Sequence, residues 1–359
     1  MADRKIKLGN RRVGVGEPLY FIADIAANHD GKLERALKLI ELAKEAGADA
    51  AKFQNFQAHK IVSARGFNSL CGKLSHQSGW KKPVFEVYKD ASIPLEWAPQ
   101  LKAKCAEAGI EYFTSPYDFE SVDAVDPYVN IYKIGSGDID WDEMLAYIAQ
   151  KGKPVIIASG ASCLSEVRKA LKLIEPYTQD IILLQCNTNY TAGPENFRHI
   201  NLNVLKTFSR EFPGAILGLS DHTRGYATVL GAVALGALVF EKHFTDDNSR
   251  DGPDHAFAID PRSWKEMIRA ANETYQALGD GVKRVEDNER QTVFLQRRSL
   301  RFTRDLPKGH IVLRQDIFPL RPAEKGAYGP GCLKYILGKM LVRNVLSEEC
   351  VREEDLSDA

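Results

Sequence analysis

From about residue 20 onward the chain repeats one pattern: a short apolar, β-prone run, then a stretch whose apolar positions recur every three or four residues. The runs are Tyr20–Ile25, Ala50–Phe56, Tyr112–Tyr117, Ile131–Gly135, Pro154–Ser159, Ile181–Cys186, Ala215–Ser220 and Leu238–Phe244. They are apolar almost throughout rather than alternating, as expected for parallel strands buried on both faces. The intervening stretches read as amphipathic helices. Lys32–Ala46 stops at Gly47, and Glu96–Ala108, Ser165–Ile174, Tyr226–Leu235 and Pro261–Leu278 are similar. Eight such units in about 260 residues predict a (β/α)8 barrel. A doubly wound open sheet is the structural alternative, but it needs a Gly-rich first turn. The nearest match, Gly14–Gly16, precedes the first strand and fits a hairpin, Lys5–Val15, that plugs the barrel bottom.

Two segments depart from the repeat. Ala58–Ala91, rich in Lys, Ser, Gly and aromatics, reads as a long irregular loop after the second strand, a position where barrels build functional rims. Beyond the last helix, with the barrel domain taken as 1–285, the charged stretch 286–296 reads as a linker. Residues 297–359 read as a small β-rich domain, with strand candidates Arg298–Thr303, Val312–Leu313, Ile317–Leu320 and Leu341–Val345.

Composition narrows the function classes. Lys+Arg and Asp+Glu balance at 48 each, so bulk charge points to neither a nucleic acid nor a membrane surface as partner. The N-terminus lacks a signal-like apolar core, and no run reaches membrane-spanning length. The six cysteines, Cys71, Cys105, Cys163, Cys186, Cys332 and Cys350, are scattered and read as reduced thiols, which makes cytoplasm the expected location.

In a barrel of this kind the reactive side chains stand at the C-terminal strand ends. Polar residues there include Asp24, Asn28 and His29; Lys52 and Gln54; Thr114 and Ser115; Lys133, Ser136 and Asp138; Ser159; Asn187 and Tyr190; Ser220, Asp221 and His222; and Glu241, Lys242 and His243. Lys52 and Lys133 sit inside apolar strands, where an unpaired ammonium is costly. A carboxylate could neutralise either one. Taken together, with Ser136, Ser220 and the Gly135–Ser136–Gly137 turn, they read as a cradle for a phosphate or carboxylate. His222 and His243 end consecutive strands. One histidine there would suit hydrogen bonding or acid–base work; two on neighbouring strands point to a divalent metal acting as Lewis acid. No third His or Cys ligand suggests itself, which argues against a closed structural zinc. The loop Asp246–His255 is dense in acids, most of them expected to be solvated. Asp254, after Gly-Pro, is the one whose backbone is fixed enough to present a carboxylate to a polyol.

The ordered motifs FIADIAANHDG, AKFQ, YKIGSGD, GLSDHT, FEKHFT and GPDH resemble the N-acetylneuraminate (sialic acid) synthase family. The tail, with Leu320-Arg-Pro and Ile336-Leu-Gly-Lys, resembles its antifreeze-like SAF domain, and the likeness spans nearly the whole chain. It implies that phosphoenolpyruvate adds through C3 to the open-chain aldehyde of an N-acylated hexosamine, giving a nine-carbon 2-keto-3-deoxy acid and phosphate. By motif position, Lys52, Lys133, Ser136, Ser159 and Ser220 would grip phosphoenolpyruvate. His222 and His243 would hold Mn²⁺, or Mg²⁺ or Co²⁺. Gln54, Asp138, Tyr190 and Asp254 would bind the sugar. Arg321 would reach the partner's barrel in a domain-swapped homodimer. Asp24 stands where the family has a catalytic glutamate. Ala158 replaces the family's first strand-5 serine, leaving Ser159 to substitute, and Asn187–Thr191 departs from the usual pattern after strand 6. These changes open the acceptor to a diamino-dideoxy hexose, as in legionaminic or pseudaminic acid synthases. The competing readings are a synthase of eight- or seven-carbon acids, which needs extra basic residues for a second phosphate, and a sugar-binding relative without chemistry.

Overall fold

The computed structural model describes residues 4–70, 77, 80–191 and 193–358. It divides into two compact units, Met1–Gly279 and Asp280–Ala359.

The first unit opens with an antiparallel hairpin, β1 (Lys5–Leu8) and β2 (Arg11–Gly14). Eight strands follow: β3 (Tyr20–Asp24), β4 (Ala50–Asn55), β5 (Glu111–Pro116), β6 (Tyr132–Ile134), β7 (Val155–Ala158), β8 (Ile181–Cys186), β9 (Ile216–Asp221) and β10 (Val239–His243). All pair in parallel and in sequence order, and β10 closes on β3 to form the barrel. Nearly every strand residue is buried, because the interior covers one face and the helices the other. Helices Leu33–Glu45 and Leu164–Ile174 show how. The first buries Ala36, Leu39, Ile40 and Ala43, and the second Val167, Ala170, Leu171 and Ile174, one stripe at three- and four-residue spacing. The hairpin packs Ile6, Leu8 and Val13 into the same core. Its Arg4 and Arg11 pair with Asp180 and Asp49, each immediately before a strand, so it closes the N-terminal end and leaves the C-terminal end open.

The rim after β4 is more ordered than an irregular loop. It carries short helices at Ala58–Ile61, Ala64–Ser69 and Val84–Ala91; Ser63 caps the second, and Tyr88 on the third packs on Phe56. Residues 71–76 and 78–79 of this insertion, with Cys71, lie outside the described residues. The five described cysteines are free thiols. Among the described residues no helix is long and apolar enough to cross a membrane.

In the second unit the segment read as a linker carries a helix, Arg290–Gln296, preceded by a turn in which Glu286 N donates to Glu289. Strands β11 (Ser299–Phe302) and β12 (Ile317–Leu320) pair antiparallel, as do β13 (Met340–Leu341) and β14 (Leu356–Ser357). Val312–Leu313 forms no strand, and only the first residue of Leu341–Val345 does. Single bridges, Leu306 to Val345 and Ile311 to Met340, hold those segments instead. The small core gathers Leu300, Phe302, Val312, Ile317 and Leu341.

Candidate active site

Strand alternation decides which side chains reach the barrel mouth. Asp24 on β3, Lys52 and Gln54 on β4, Lys133 on β6, Ala158 on β7, Cys186 on β8, Ser220 and His222 at the end of β9, and Glu241 and His243 on β10 all line one cavity of about 410 Å³. Ser136, Asp138, Tyr190 and Asp254 complete it from the following loops. Thirteen of the site positions read from sequence therefore reduce to eleven in this cavity, the exceptions being Ser159 and Arg321. Ser159 follows the inward-facing Ala158, and its hydroxyl turns aside to the Leu184 carbonyl oxygen at 3.0 Å. It does not replace the family serine. Arg321 belongs to the second unit, where its Nε donates to the Gln296 carbonyl at 2.7 Å.

The two lysines are not a bare cationic cradle. Lys52 Nζ lies 2.6 Å from Asp24 Oδ2 and 3.4 Å from Glu241 Oε1, and Lys133 Nζ lies 3.2 Å from the same Glu241 oxygen. Ser220 Oγ donates to it at 3.3 Å. Burial opposes charge on Glu241, but Lys133 and Lys52 together hold its carboxyl down at about 2. Burial pushes Asp24 up despite Lys52, and pushes Lys133 down despite Glu241. Two ammonium groups thus face two carboxylates. Lys133 is the less compensated cation, and an arriving anion would stabilise its charge. Glu241 was legible only as one strand-end acid among many; its role as the shared counter-ion needs the register of β10 against strands across the barrel.

His222 and His243 stand side by side, ring centroids 5.3 Å apart. His222 Nδ1 lies 3.0 Å from the Asn187 carbonyl oxygen. Donating there places the proton on Nδ1 and turns the Nε2 lone pair to the cavity, the usual arrangement of a metal-bound imidazole. Burial above all, then His222 and the nearby lysines, keeps His243 well below the ordinary imidazole range and so neutral. Its Nδ1 has no hydrogen-bond partner among the described residues, and its Nε2 is 3.5 Å from Asp24 Oδ2. Burial opposes charge on His222, but Cys186 and then the Asn187 carbonyl push it the other way, upward; with that ring deprotonated as well, the two imidazoles would fit a divalent transition metal. No group of three or more His, Cys, Asp or Glu among the described residues could hold one alone, so the remaining positions would fall to substrate oxygens. Cys186, 4.0 Å from His222 Nδ1, is a further cavity thiol that scattered spacing did not reveal.

The other wall suits a polyol. Asp254 Oδ2 accepts from Ala27 N at 3.1 Å, and burial raises its carboxyl to about 6. Asp138 is likewise raised to about 6, by burial and then by Asp140. Tyr190 lies across both histidines, its ring 4.5 Å from that of His222. Phe56, Ile61, Trp80, Val87 and Tyr88 add an apolar, aromatic side supplied partly by the rim helices. The acidic loop is less solvated than its composition suggests. Asp246 takes both guanidinium nitrogens of Arg35, and Asp30 takes Arg250 and His255, which ties 246–255 to the loop after β3. His29 and Asn28 serve that loop too: His29 Nδ1 accepts from Gly31 N, and Asn28 donates to the Phe244 carbonyl.

Residues 39–283, most of this barrel, match the model of the NeuB family. The chain belongs to the NeuB family. It is 34% identical to an N,N'-diacetyllegionaminic acid synthase of Legionella pneumophila, over 96% of each chain. It is 32% identical to a pseudaminic acid synthase of Campylobacter jejuni, over 98% of this chain and 99% of the relative. A crystal structure of an N-acetylneuraminic acid synthetase from Leptospira borgpetersenii in complex with citrate superposes with a TM-score of 0.71 at 27% identity, covering 81% of this chain and 95% of that one. As a NeuB-family member the chain is a sialic-acid-synthase-like enzyme, a phosphoenolpyruvate-dependent condensing synthase.

Proposed function

We propose that this NeuB-family synthase joins phosphoenolpyruvate to the open-chain aldehyde of an unphosphorylated, N-acylated amino sugar, an N-acylated diamino-dideoxy hexose ahead of N-acetylmannosamine. The observation that carries this is a single cavity in which two buried lysines, two carboxylates and two imidazoles meet a polyol-binding wall. The aromatic and aliphatic side favours deoxy and acetamido groups. No arginine lines the cavity among the described residues, which disfavours an acceptor carrying its own phosphate.

Lys133, Lys52 and the hydroxyls of Ser220 and Ser136 bind the phosphate and carboxylate of phosphoenolpyruvate and fix its C3 face. Asp254, Asp138, Gln54 and Tyr190 hold the sugar so that its aldehyde carbon meets C3 next to the histidines. His222 and His243 would hold a Mn²⁺-like ion, which when bound supplies Lewis-acid polarisation of the aldehyde oxygen. The C3–C1 bond forms as the aldehyde oxygen gains a proton, water adds to C2 and gives up one proton to balance it, and the C2 hydroxyl's remaining proton goes with phosphate as the C–O bond breaks and the 2-keto group forms. Asp24, raised by burial and hydrogen-bonded within reach of the same space, accepts the water's proton. Phosphate release from phosphoenolpyruvate with Mn²⁺ across a hexosamine panel tests this. The expected outcome is release with diacetamido-dideoxy hexoses above N-acetylmannosamine; no release with any acceptor overturns it.

The scattered free thiols support a cytoplasmic enzyme. The tail's resemblance supports an SAF-like second unit and a domain-swapped homodimer in which Arg321 serves the partner's barrel. Mixing two inactive variants, Arg321→Ala and His243→Ala, should then restore turnover, because the mixed dimer unites an intact barrel with an intact arginine. Continued inactivity after subunit exchange, with exchange verified by native mass spectrometry, would show that Arg321 does not act in trans.

A further inference from the structure

Asp221 and Lys242 each precede one of the two cavity histidines, and strand alternation turns both away from the cavity. They face each other directly across the β9–β10 ladder, with Lys242 Nζ 2.5 Å from Asp221 Oδ2, and both are buried. β9 ends at Asp221, so His222 is the first residue beyond the paired register. The next residue, Thr223, is held by the pair at both ends of its backbone. Asp221 Oδ1 accepts from Thr223 N at 3.0 Å, and Lys242 Nζ donates to the Thr223 carbonyl at 2.7 Å. The hydroxyls of Thr223 and Thr228 donate to the Asp221 carboxylate at 2.9 and 2.7 Å. His222 therefore spans one step between two pinned residues. His243 needs no such help. It stands within β10 in register with Asp24, and its carbonyl accepts from Ile259 N at 2.8 Å.

A buried ion pair is a poor source of stability, since desolvation offsets the attraction and apolar residues of equal volume often serve as well. What a buried pair hydrogen-bonded on both sides supplies is direction: the Asp221 carboxylate is filled by Thr223, Thr228 and Lys242, and the ammonium is aimed at Asp221 and the Thr223 carbonyl. We infer that the Asp221–Lys242 pair is a positioning device for His222, setting its imidazole against His243 and thereby the affinity for a divalent metal. The inference rests on the metal reading of the two histidines. Neither residue touches the ion; both act through Thr223 and the end of β9.

The test is titration of Mn²⁺ into the metal-stripped full-length chain, with unfolding of the same metal-free samples measured in parallel. Asp221→Asn/Lys242→Met removes both charges at nearly constant volume. Lys242→Met alone leaves Asp221 its amide and hydroxyl donors. Both variants are expected to unfold cooperatively. Mn²⁺ affinity should fall about 10–100-fold in the double variant, the range for groups that orient metal-bound histidines, and less in Lys242→Met. Phosphoenolpyruvate affinity without metal should not change. Wild-type Mn²⁺ affinity in the folded variants overturns the inference, and so does loss of folding in both, which would make the pair purely structural. Absence of saturable Mn²⁺ binding by the wild-type chain is a different failure, that of the metal reading itself.

Discussion

His222→Ala and His243→Ala will each lower turnover by roughly a thousandfold or more while leaving the barrel folded. The size follows from the chemistry the histidines serve. Polarising a carbonyl contributes several kcal/mol to a transition state that gathers charge on oxygen, and each 1.36 kcal/mol is about tenfold in rate. Folding should survive because both rings face a cavity rather than a packed core, and their strands are held by ladder bonds and by residues on the opposite face. Phosphoenolpyruvate affinity in the absence of metal should stay near wild type, since its grip comes from Lys52, Lys133 and the serine hydroxyls. Steady-state phosphate release, circular dichroism and ligand titration read the three parts separately. A chelator-treated His243→Ala enzyme with normal turnover would refute the Lewis-acid role.

Why the sequence exposes the histidines, but not their surroundings, is a matter of range. Parallel strands buried on both faces write themselves as continuous apolar runs, so the strand starts and ends fall within one or two residues of expectation; Ile181–Cys186 coincides at both ends. The identity of inward-facing residues is also local, because it follows the two-residue period. That period could have excluded Ser159 at once: with Ala158 facing the cavity, its neighbour must face away. What no local rule supplies is pairing across the barrel. Glu241 meets Lys133 although the residues are 108 apart in sequence. Asp30 meets His255 only because two loops converge over the mouth. The short helices of the 58–91 rim escaped for another reason. Four- to eight-residue helices carry too few turns to show a period, and their order comes from packing on neighbours such as Phe56. In the second unit, segments held by single bridges leave no two-residue pattern to read.

Glu241→Gln isolates the consequence of that cross-barrel pairing. The substitution keeps shape and a hydrogen-bonding carbonyl but removes the charge that Lys52 and Lys133 share, leaving Asp24 alone against two buried ammonium groups. Removing one partner from a buried ionic cluster costs about 3–5 kcal/mol. Lys133, already pushed down by burial, relieves part of that by releasing its proton, so the lower end of the range is expected. Chemical unfolding of the metal-free enzyme measures the loss. Ligand then separates a structural counter-ion from a functional one. If phosphoenolpyruvate places its anionic groups against these lysines, it replaces the missing charge. It should therefore bind the variant more tightly and, at equal ligand concentration, raise the unfolding temperature of Glu241→Gln by more than that of the wild type. An equal or smaller rise would mean that the lysines serve the barrel core and that the anion binds elsewhere in the cavity. Turnover should fall even where binding is restored, because a neutral amide leaves Lys52 drawn wholly to Asp24 and holds that carboxylate ionised but engaged, away from the water it must deprotonate.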